Sequence, residues 1–314
     1  MNSGPRFPPI GSRVSIRYRD PDGEQTDVIG VLTARPPRVV VRATRGAVAI
    51  PVDDIVAVRE LSFAPVRTSA IRALEHAAAL GWPGVEAHWH RGWLLRAGDG
   101  VTSRGNSAVP LDFSSSSGPP SLDAVPAIAD WYLQRNLVPW LALPDRLLAV
   151  RAAGVKRTRV MVRDFLDSDA DADTGPPGSG ALLSETPDAE WLGGYRRAVG
   201  MAELTAVVDG EVVFARIDGV AVGRGALTAA PDGTRWLGIS AISVSEAHRR
   251  RGHGRAICAA LASWGVSRGA QRGYVQVLTD NEAAITLYAS LGYGLHHHAG
   301  YLDARRVLGI SLGV

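Results

Sequence analysis

A stretch rich in arginine and glycine in the last third of the chain has the residue types of an anion-binding loop. It covers residues 249–255, and its glycines are Gly252 and Gly254. The apolar, β-branched run 237–244 predicts a strand before it, and apolar residues at helical spacing over 257–264 predict a helix after it. The first N–H groups of a helix lack intrahelical partners, and glycine lets a phosphate approach the backbone closely. The pattern therefore predicts a strand–loop–helix site for a diphosphate.

Two common nucleotide motifs do not fit this loop. No Gly-Lys-Ser or Gly-Lys-Thr follows it, as a P-loop requires. A dinucleotide fingerprint needs an acidic residue at a strand end about twenty positions on, where the pattern predicts helix. The arginines also fit a nucleic-acid patch or a solvated charge run, but their position between a strand end and Gly252 favours the diphosphate.

A second group of residues follows the predicted strand 274–278 and makes the pattern more specific. Its members are Asn281, Ala284, Leu287, Tyr288, Leu291, Gly292 and Tyr293. Together with Arg249-x-x-Gly252-x-Gly254, this set resembles the acetyl-CoA-binding core of the GCN5-related N-acetyltransferases, the GNAT superfamily. The resemblance covers about residues 200–303 and implies an α/β (α+β) fold with acetyl-CoA as cofactor.

The resemblance also implies roles for individual residues. The loop would hold the CoA pyrophosphate, and the pantetheine arm would pair with the strand edge at 242–244, where that strand splays from 274–278. Asn281 would face the cofactor, and Tyr288 would protonate the departing CoA thiolate. The implied cofactor-binding residues are Ile242, Ser243, Val244, Arg249, Arg250, Arg251, Gly252, His253, Gly254, Arg255, Asn281, Ala284 and Tyr288.

A general base is harder to identify. Attack of an amine on a thioester needs a neutral amine, a polarised carbonyl and a protonated leaving thiolate. A backbone N–H near Ile242 is a candidate for polarising the carbonyl. Histone-acetylating members carry a glutamate early on the central strand, and that position is Gly238 here. A water chain, Glu203 or a histidine of the run 296–298 are the remaining candidates.

The composition indicates a globular protein large enough for two or more domains. The chain has 314 residues, of which 46% are hydrophobic and 21% charged. No apolar run reaches membrane-spanning length, and the N-terminus lacks a signal-peptide pattern, so we expect a cytoplasmic protein without a membrane partner. The net charge of +3 is too small to indicate nucleic-acid binding.

Metal chemistry is not expected. The single cysteine, Cys258, lies inside the predicted helix after the loop, which excludes a disulfide framework and favours a buried side chain. The histidines at 296–298 lie on a predicted strand and point to alternate faces, so the three side chains cannot converge on one ion.

The N-terminal part reads as short alternating apolar runs with turns between them. Residues 1–9 contain turn-formers and predict a disordered arm. Five short strands over 10–62 predict a small barrel that resembles an SH3-like domain. We expect this domain to serve packing or oligomerisation, which makes a homodimer one possible assembly.

The rest of the chain predicts two tandem lobes of one fold. Residues 127–131 align with 260–264, and each segment is followed by strand, helix and strand. Residues 69–163 lack the arginine–glycine motif, so we expect a degenerate GNAT-like lobe there, and the catalytic lobe covers 186–314. The acidic and Gly/Pro-rich segment 164–185 predicts a flexible linker. Two roles are open to Arg104 and Asn106 of the first lobe, facing the acceptor cleft or satisfying loop backbone, and we expect the second.

The sequence therefore predicts an N-acetyltransferase. It would move an acetyl group from acetyl-CoA to a primary amine, of a small molecule or a protein lysine, by direct attack in a ternary complex. The alternative is a binding protein without turnover, either a CoA-responsive regulator or a nucleic-acid-associated scaffold.

Overall fold

A computed structural model of the chain describes residues 7–44, 46–61, 66–113, 118–150, 155–165 and 180–309. Residues 1–6 of the predicted arm and 166–179 of the predicted linker lie outside this range. Asp164 ends a strand and 182–184 form another, so regular structure reaches both ends of the predicted linker. No described helix is long and apolar enough to cross a membrane.

The N-terminal domain is a five-stranded antiparallel sheet. In the first strand Val14 and Ile16 point inward and are fully buried, whereas the next residue, Arg17, is exposed. This alternation is the two-residue period of a strand. The strand order is β4-β3-β2-β1-β5, and no pairing among the described residues joins β4 to β5, so the predicted closed barrel is not confirmed. The strands are β1 (Arg13–Arg19), β2 (Gln25–Ala34), β3 (Arg38–Ala43), β4 (Gly46–Pro51) and β5 (Ile55–Glu60).

The two lobes that follow share one mixed sheet of eleven strands, which confirms the predicted α/β fold with two lobes. The first contains α1 (Thr68–Gly81), β6 (Glu86–His90), β7 (Trp93–Ala97), β8 (Ser107–Pro110), α2 (Val125–Leu133), β9 (Trp140–Pro144) and β10 (Val155–Asp164). The second contains β11 (Leu182–Ser184), α3 (Ala189–Tyr195), α4 (Met201–Thr205), β12 (Glu211–Ile217), β13 (Ala221–Ala229), β14 (Arg235–Val244), α5 (His253–Ser267), β15 (Arg272–Leu278), α6 (Glu282–Ser290), β16 (Gly294–Asp303) and α7 (Ala304–Val307).

The lobes exchange their last strands. The order is β11-β12-β13-β14-β15-β10-β16-β9-β8-β7-β6, so β10 of the first lobe lies between β15 and β16 of the second. In both lobes an antiparallel meander leads to a parallel pair, β8 with β9 and β14 with β15. Met161 of β10 is fully buried in the core of the second lobe. The two lobes are therefore joined through a continuous ladder of backbone hydrogen bonds.

Helices cover both faces of the second lobe's sheet. α5 packs against β12, β13 and β14, and its Ile257 and Leu261 enter the main core. α1 covers the opposite face, where Leu74 packs with Val160 and Trp236. The N-terminal domain contacts this lobe at α6, because Ile10 packs against its core and Arg42 donates a hydrogen bond to the Ser290 carbonyl.

A buried carboxylate fixes the first lobe's loop 98–105 against the second lobe. Glu203 of α4 is fully buried, and its Oε1 accepts hydrogen bonds from Trp82 Nε1 at 2.9 Å and Thr102 Oγ1 at 2.5 Å. Its Oε2 accepts from the Asp99 N–H at 3.2 Å. A Cβ on Gly98 would lie 2.1 Å from this oxygen, so only glycine lets the loop approach so closely. Both lobes thus depend on one buried carboxyl group.

Removal of this carboxylate should loosen the loop. We expect Glu203→Ala to lower the free energy of unfolding by about 3 kcal/mol, because it strands buried donors on Trp82 and Thr102. Glu203→Gln, which keeps one acceptor oxygen, should cost less. Chemical denaturation measures both, and hydrogen exchange over 98–105 should accelerate in the alanine variant. The exposed Glu185→Ala is the control, and an equal effect of the two alanine variants would contradict this assignment.

Candidate active site

The site forms where β14 parts from its parallel neighbour. The two strands pair only from Trp236 to Gly238 and from Arg272 to Tyr274, although both continue for several residues. A bulge follows, at which Ala241 has φ +54° and the register between β13 and β14 shifts. Backbone groups on the β15 side of residues 239–244 are therefore left without a strand partner, as expected for an edge that a ligand can pair with.

A cleft of about 430 Å³ opens at this point. Four of the predicted site residues meet in it, namely Ile242, Asn281, Ala284 and Tyr288. Ser243 and Val244 continue along β14 and are partly buried. The cleft is also lined by Trp82, Val101, Thr102, Ser103, Arg104, Lys156, Thr158, Tyr195, Arg197, Ile239, Ser240, Ala241, Gln276, Val277, Leu278, Leu287 and Tyr301.

The arginine–glycine loop leads from the same strand into α5. A short 3₁₀ turn over Glu246–His248 precedes it, and Gly252 is the N-cap of the helix at φ +86°. No side chain caps this end and no acidic residue lies in the first turn, so the N–H groups of 253–255 point out without a side-chain acceptor. A Cβ on Gly254 would lie 3.3 Å from Leu287, so the glycine allows the helix to pack closely on α6. This cradle fits a phosphate.

The loop arginines are not equivalent. Arg249, Arg250 and Arg251 are exposed, and Arg249 lies 3.6 Å from Glu246. Arg255 is partly buried and donates to Ser290 Oγ at 2.5 Å, beside the contact between Arg42 and the Ser290 carbonyl. His253 begins α5, and its Nδ1 is buried without a hydrogen-bond partner. Neither Arg250 nor Arg251 forms an ion pair with a described residue. Arg255 instead bonds Ser290 of α6, whose carbonyl accepts from Arg42 of the N-terminal domain.

Asn281 and Tyr288 lie at the two ends of α6. The Asn281 side chain caps the helix by accepting from the Ala284 N–H at 3.1 Å, so it has a structural role besides lining the cleft. Tyr288 is 7% exposed, and burial raises the pKa of its phenol above the ordinary value. The phenol therefore remains protonated over the physiological range and can donate a proton. The nearby Cys258 is buried as predicted, and burial raises the pKa of its thiol to about 12.

The candidate bases do not line the cleft. Glu203 holds the loop 98–105, and burial raises the pKa of its carboxyl group. His297 is buried and lies 2.9 Å from Glu75, and its Nδ1 contacts His296 Nδ1 at 2.8 Å. At Gly238, where the resemblance places a glutamate, the Tyr274 side chain occupies the space that a side chain would need. A Cβ on Gly238 would lie 2.2 Å from the Tyr274 hydroxyl. No carboxylate is among the described residues that line the cleft.

The first lobe supplies one wall of the cleft, which is one of the two roles that the sequence left open for Arg104 and Asn106. Asn106 satisfies loop backbone as expected, because its Oδ1 accepts from the N–H groups of Gly98 at 2.7 Å and Gly100 at 3.1 Å. Arg104 does not. Its guanidinium lies 5.5 Å from the centre of the Trp82 ring and lines the cleft, so the expectation for Arg104 is wrong.

Comparisons with known proteins agree with this architecture. A family model described as the C-terminal region of the probable histone acetyltransferase Rv0428c matches residues 68–302. A second model, described as the Rv0428c N-terminal Sm-like domain, matches residues 8–59. The small β domain is thus Sm-like, and the predicted SH3-like relationship is not confirmed.

Individual proteins give the same result. The chain is 47% identical over 309 residues to the probable histone acetyltransferase Rv0428c of Mycobacterium tuberculosis, covering 96% of this chain and 97% of that protein. It is 24% identical over 262 residues to the uncharacterized N-acetyltransferase YobR of Bacillus subtilis, covering 73% of this chain and 97% of YobR.

Among solved structures, a GCN5-related N-acetyltransferase from Kribbella flavida superposes with a TM-score of 0.50 at 18% identity, covering 76% of this chain and 95% of that one. That level of identity supports the fold alone. The family match over 68–302 and the 47% identical relative show the family of the protein. The chain belongs to the family of the probable histone acetyltransferase Rv0428c, within the GNAT superfamily of N-acetyltransferases.

Proposed function

We propose that the protein transfers an acetyl group from acetyl-CoA to a primary amine by direct attack in a ternary complex. The observation that carries the proposal is the continuity of two sites along β14. Its free edge lines the cleft that contains Tyr288, and its end leads into the uncapped N-terminus of α5. A long ligand with a diphosphate at one end and a thioester at the other matches that arrangement. We place this activity in the cytoplasm.

Specific residues would hold the donor. The N–H groups of 253–255 and the side chains of Arg250 and Arg251 are suited to the pyrophosphate, because oriented amides at a helix N-terminus bind phosphate oxygens. The unpaired backbone of 242–244 is suited to the amides of the pantetheine arm. When bound there, acetyl-CoA supplies the activated acetyl group.

The side chains of the cleft then serve the proton transfers. Attack of the amine nitrogen on the carbonyl breaks the C–S bond, and the leaving sulfur must gain a proton. Tyr288 is suited to donate it, because burial keeps its phenol protonated. No described carboxylate lines the cleft, so the amine must arrive neutral or lose its proton to water. The rate should therefore rise with pH as the amine deprotonates.

The acceptor is a separate question. The name of the 47% identical relative supports a histone lysine as one candidate, and a small amine is the other. Release of the CoA thiol separates turnover from the alternative of a CoA-responsive binding protein. The only cysteine, Cys258, is buried and will not interfere with a thiol reagent.

Acetyl-CoA binding should depend on the backbone conformation at Gly252. Alanine at φ +86° is strained, so Gly252→Ala should turn the N–H groups of 253–255 away from the diphosphate and weaken the Kd for acetyl-CoA about 10-fold. Gly233→Ala is a matched control, because Gly233 has φ +83° in a turn outside the site. Isothermal calorimetry measures both variants. Equal Kd values for them would contradict the proposed cradle.

Turnover should depend on the Tyr288 hydroxyl. Tyr288→Phe keeps the ring but removes the proton donor, so we expect kcat to fall about 100-fold with the Kd for acetyl-CoA nearly unchanged. Because burial raises the pKa of Tyr288, the wild-type rate should show no loss up to about pH 10, the ordinary pKa of tyrosine. Thiol-release kinetics across pH provide the measurement. A variant as fast as wild type would show that another group protonates the leaving sulfur.

A further inference from the structure

We propose that the acceptor is an amine that also carries an anionic group, a carboxylate or a phosphate, and that Arg104 binds that group. This inference rests on the proposed function and narrows its acceptor. It comes from the charge of the cleft and from the incomplete hydrogen bonding of one side chain. The wall that carries Arg104 belongs to the first lobe, opposite α6 with its Tyr288.

The charged side chains that line the cleft all have one sign. They are Arg104, Lys156 and Arg197, and no aspartate or glutamate accompanies them among the described lining residues. Lys156 and Arg197 are exposed, and Lys156 Nζ donates to Ser103 Oγ at 2.7 Å. A cationic, lysine-rich protein segment would meet like charges here, whereas an anionic group would find complementary charge. The potential of the cleft therefore disfavours a lysine-rich protein acceptor.

Among the described residues, none forms a hydrogen bond or a salt bridge with Arg104, although the charge of the buried Glu75 acts on it at longer range. Its Nε is buried against the protein, so its terminal nitrogens are the donors available to the cleft. Glu75 borders a small cavity that Arg104 also lines, but Glu75 is already engaged by His297. The terminal nitrogens of Arg104, which no described acceptor satisfies, are the donors that a ligand oxygen in the cleft would complete.

Arg224 shows what a purely structural arginine looks like in the same neighbourhood. It lies 4.4 Å from the centre of the Trp82 ring and is 1% exposed. Its guanidinium donates to three backbone carbonyls, those of Leu204, Gly81 and Ala206, at 2.7, 3.0 and 2.8 Å. The contrast with Arg104, on the same ring and facing the cleft, indicates a binding role for Arg104.

The loop that carries Arg104 is preorganised. Thr102 Oγ1 donates to Glu203 of the second lobe and accepts from the Gly105 N–H at 3.1 Å, so the residues that flank Arg104 are bonded to each other and, through Thr102, to the second lobe. A guanidinium fixed in this way can form paired hydrogen bonds to a carboxylate or phosphate without losing much conformational entropy. The fixed position sets where the amine end of the acceptor can reach.

Matched acceptors test this proposal. The first arm compares glycine, β-alanine and 4-aminobutyrate with the corresponding amides, and the second compares O-phosphoethanolamine with ethanolamine. A lysine-rich peptide forms the third arm. At saturating acetyl-CoA, thiol release should give a kcat/KM about 10- to 100-fold higher for at least one anionic amine than for its neutral partner and for the peptide. The first two arms distinguish a carboxylate from a phosphate.

The Arg104→Gln variant tests the assigned residue. It should lower kcat/KM for the anionic amine about 10- to 100-fold, mainly through KM, and change the neutral partner less than about 3-fold. Arg38→Gln removes an exposed arginine of the N-terminal domain and should leave both values unchanged. The acetyl-CoA Kd and the melting temperature report whether the variant folds. Should it not fold, competitive inhibition of ethanolamine acetylation by butyrate or inorganic phosphate in the wild type gives the same information.

Several outcomes would overturn the proposal. A kcat/KM for the peptide or the neutral amines that equals or exceeds that of every anionic amine would do so, as would absence of inhibition by butyrate and phosphate. An equal loss of kcat/KM for all acceptors in Arg104→Gln would indicate that Arg104 acts on the thioester and not on an anionic group of the acceptor. In each of these cases the acetyltransferase function stands. Absence of acetyl-CoA binding and of turnover with every amine would instead remove the proposed function and this inference with it.

Discussion

The cleft depends on the buried carboxylate of Glu203, which joins two lobes that are far apart in sequence. It binds Trp82 and Thr102 of the first lobe from a helix of the second, and Asp99 returns the contact by accepting from the Gly200 N–H at 2.5 Å. A buried carboxyl group is costly unless hydrogen-bond partners satisfy it, so the loop 98–105 has little freedom. That constraint fixes the wall on which Arg104 lies.

The exchange of last strands gives the first lobe a structural role, although it lacks a phosphate loop. β10 completes the sheet of the second lobe beside β15, and β16 pairs with β9 in return. Neither lobe has a complete sheet alone. The first lobe therefore contributes core residues such as Met161, and it also supplies side chains such as Arg104 to the cleft.

The sequence predicted those parts of the site that local pattern determines. Gly252 precedes a helix and follows a strand, and Tyr288 lies at helical spacing, so both positions followed from residues close in sequence. The exchange of β10 and β16 could not be predicted, because antiparallel partners in either lobe satisfy the same alternation. For Arg104 and Asn106 the sequence left two roles open. Asn106 bonds the loop backbone, and only the folded loop decides that Arg104 lines the cleft instead.

A crystal structure of the protein with CoA tests the proposed binding site most directly. We expect pyrophosphate oxygens within hydrogen-bonding distance of the N–H groups of 253–255, the pantetheine arm along 242–244, and the sulfur within reach of the Tyr288 hydroxyl. A nucleotide bound away from α5, or a sulfur directed out of the cleft that Tyr288 lines, would contradict it.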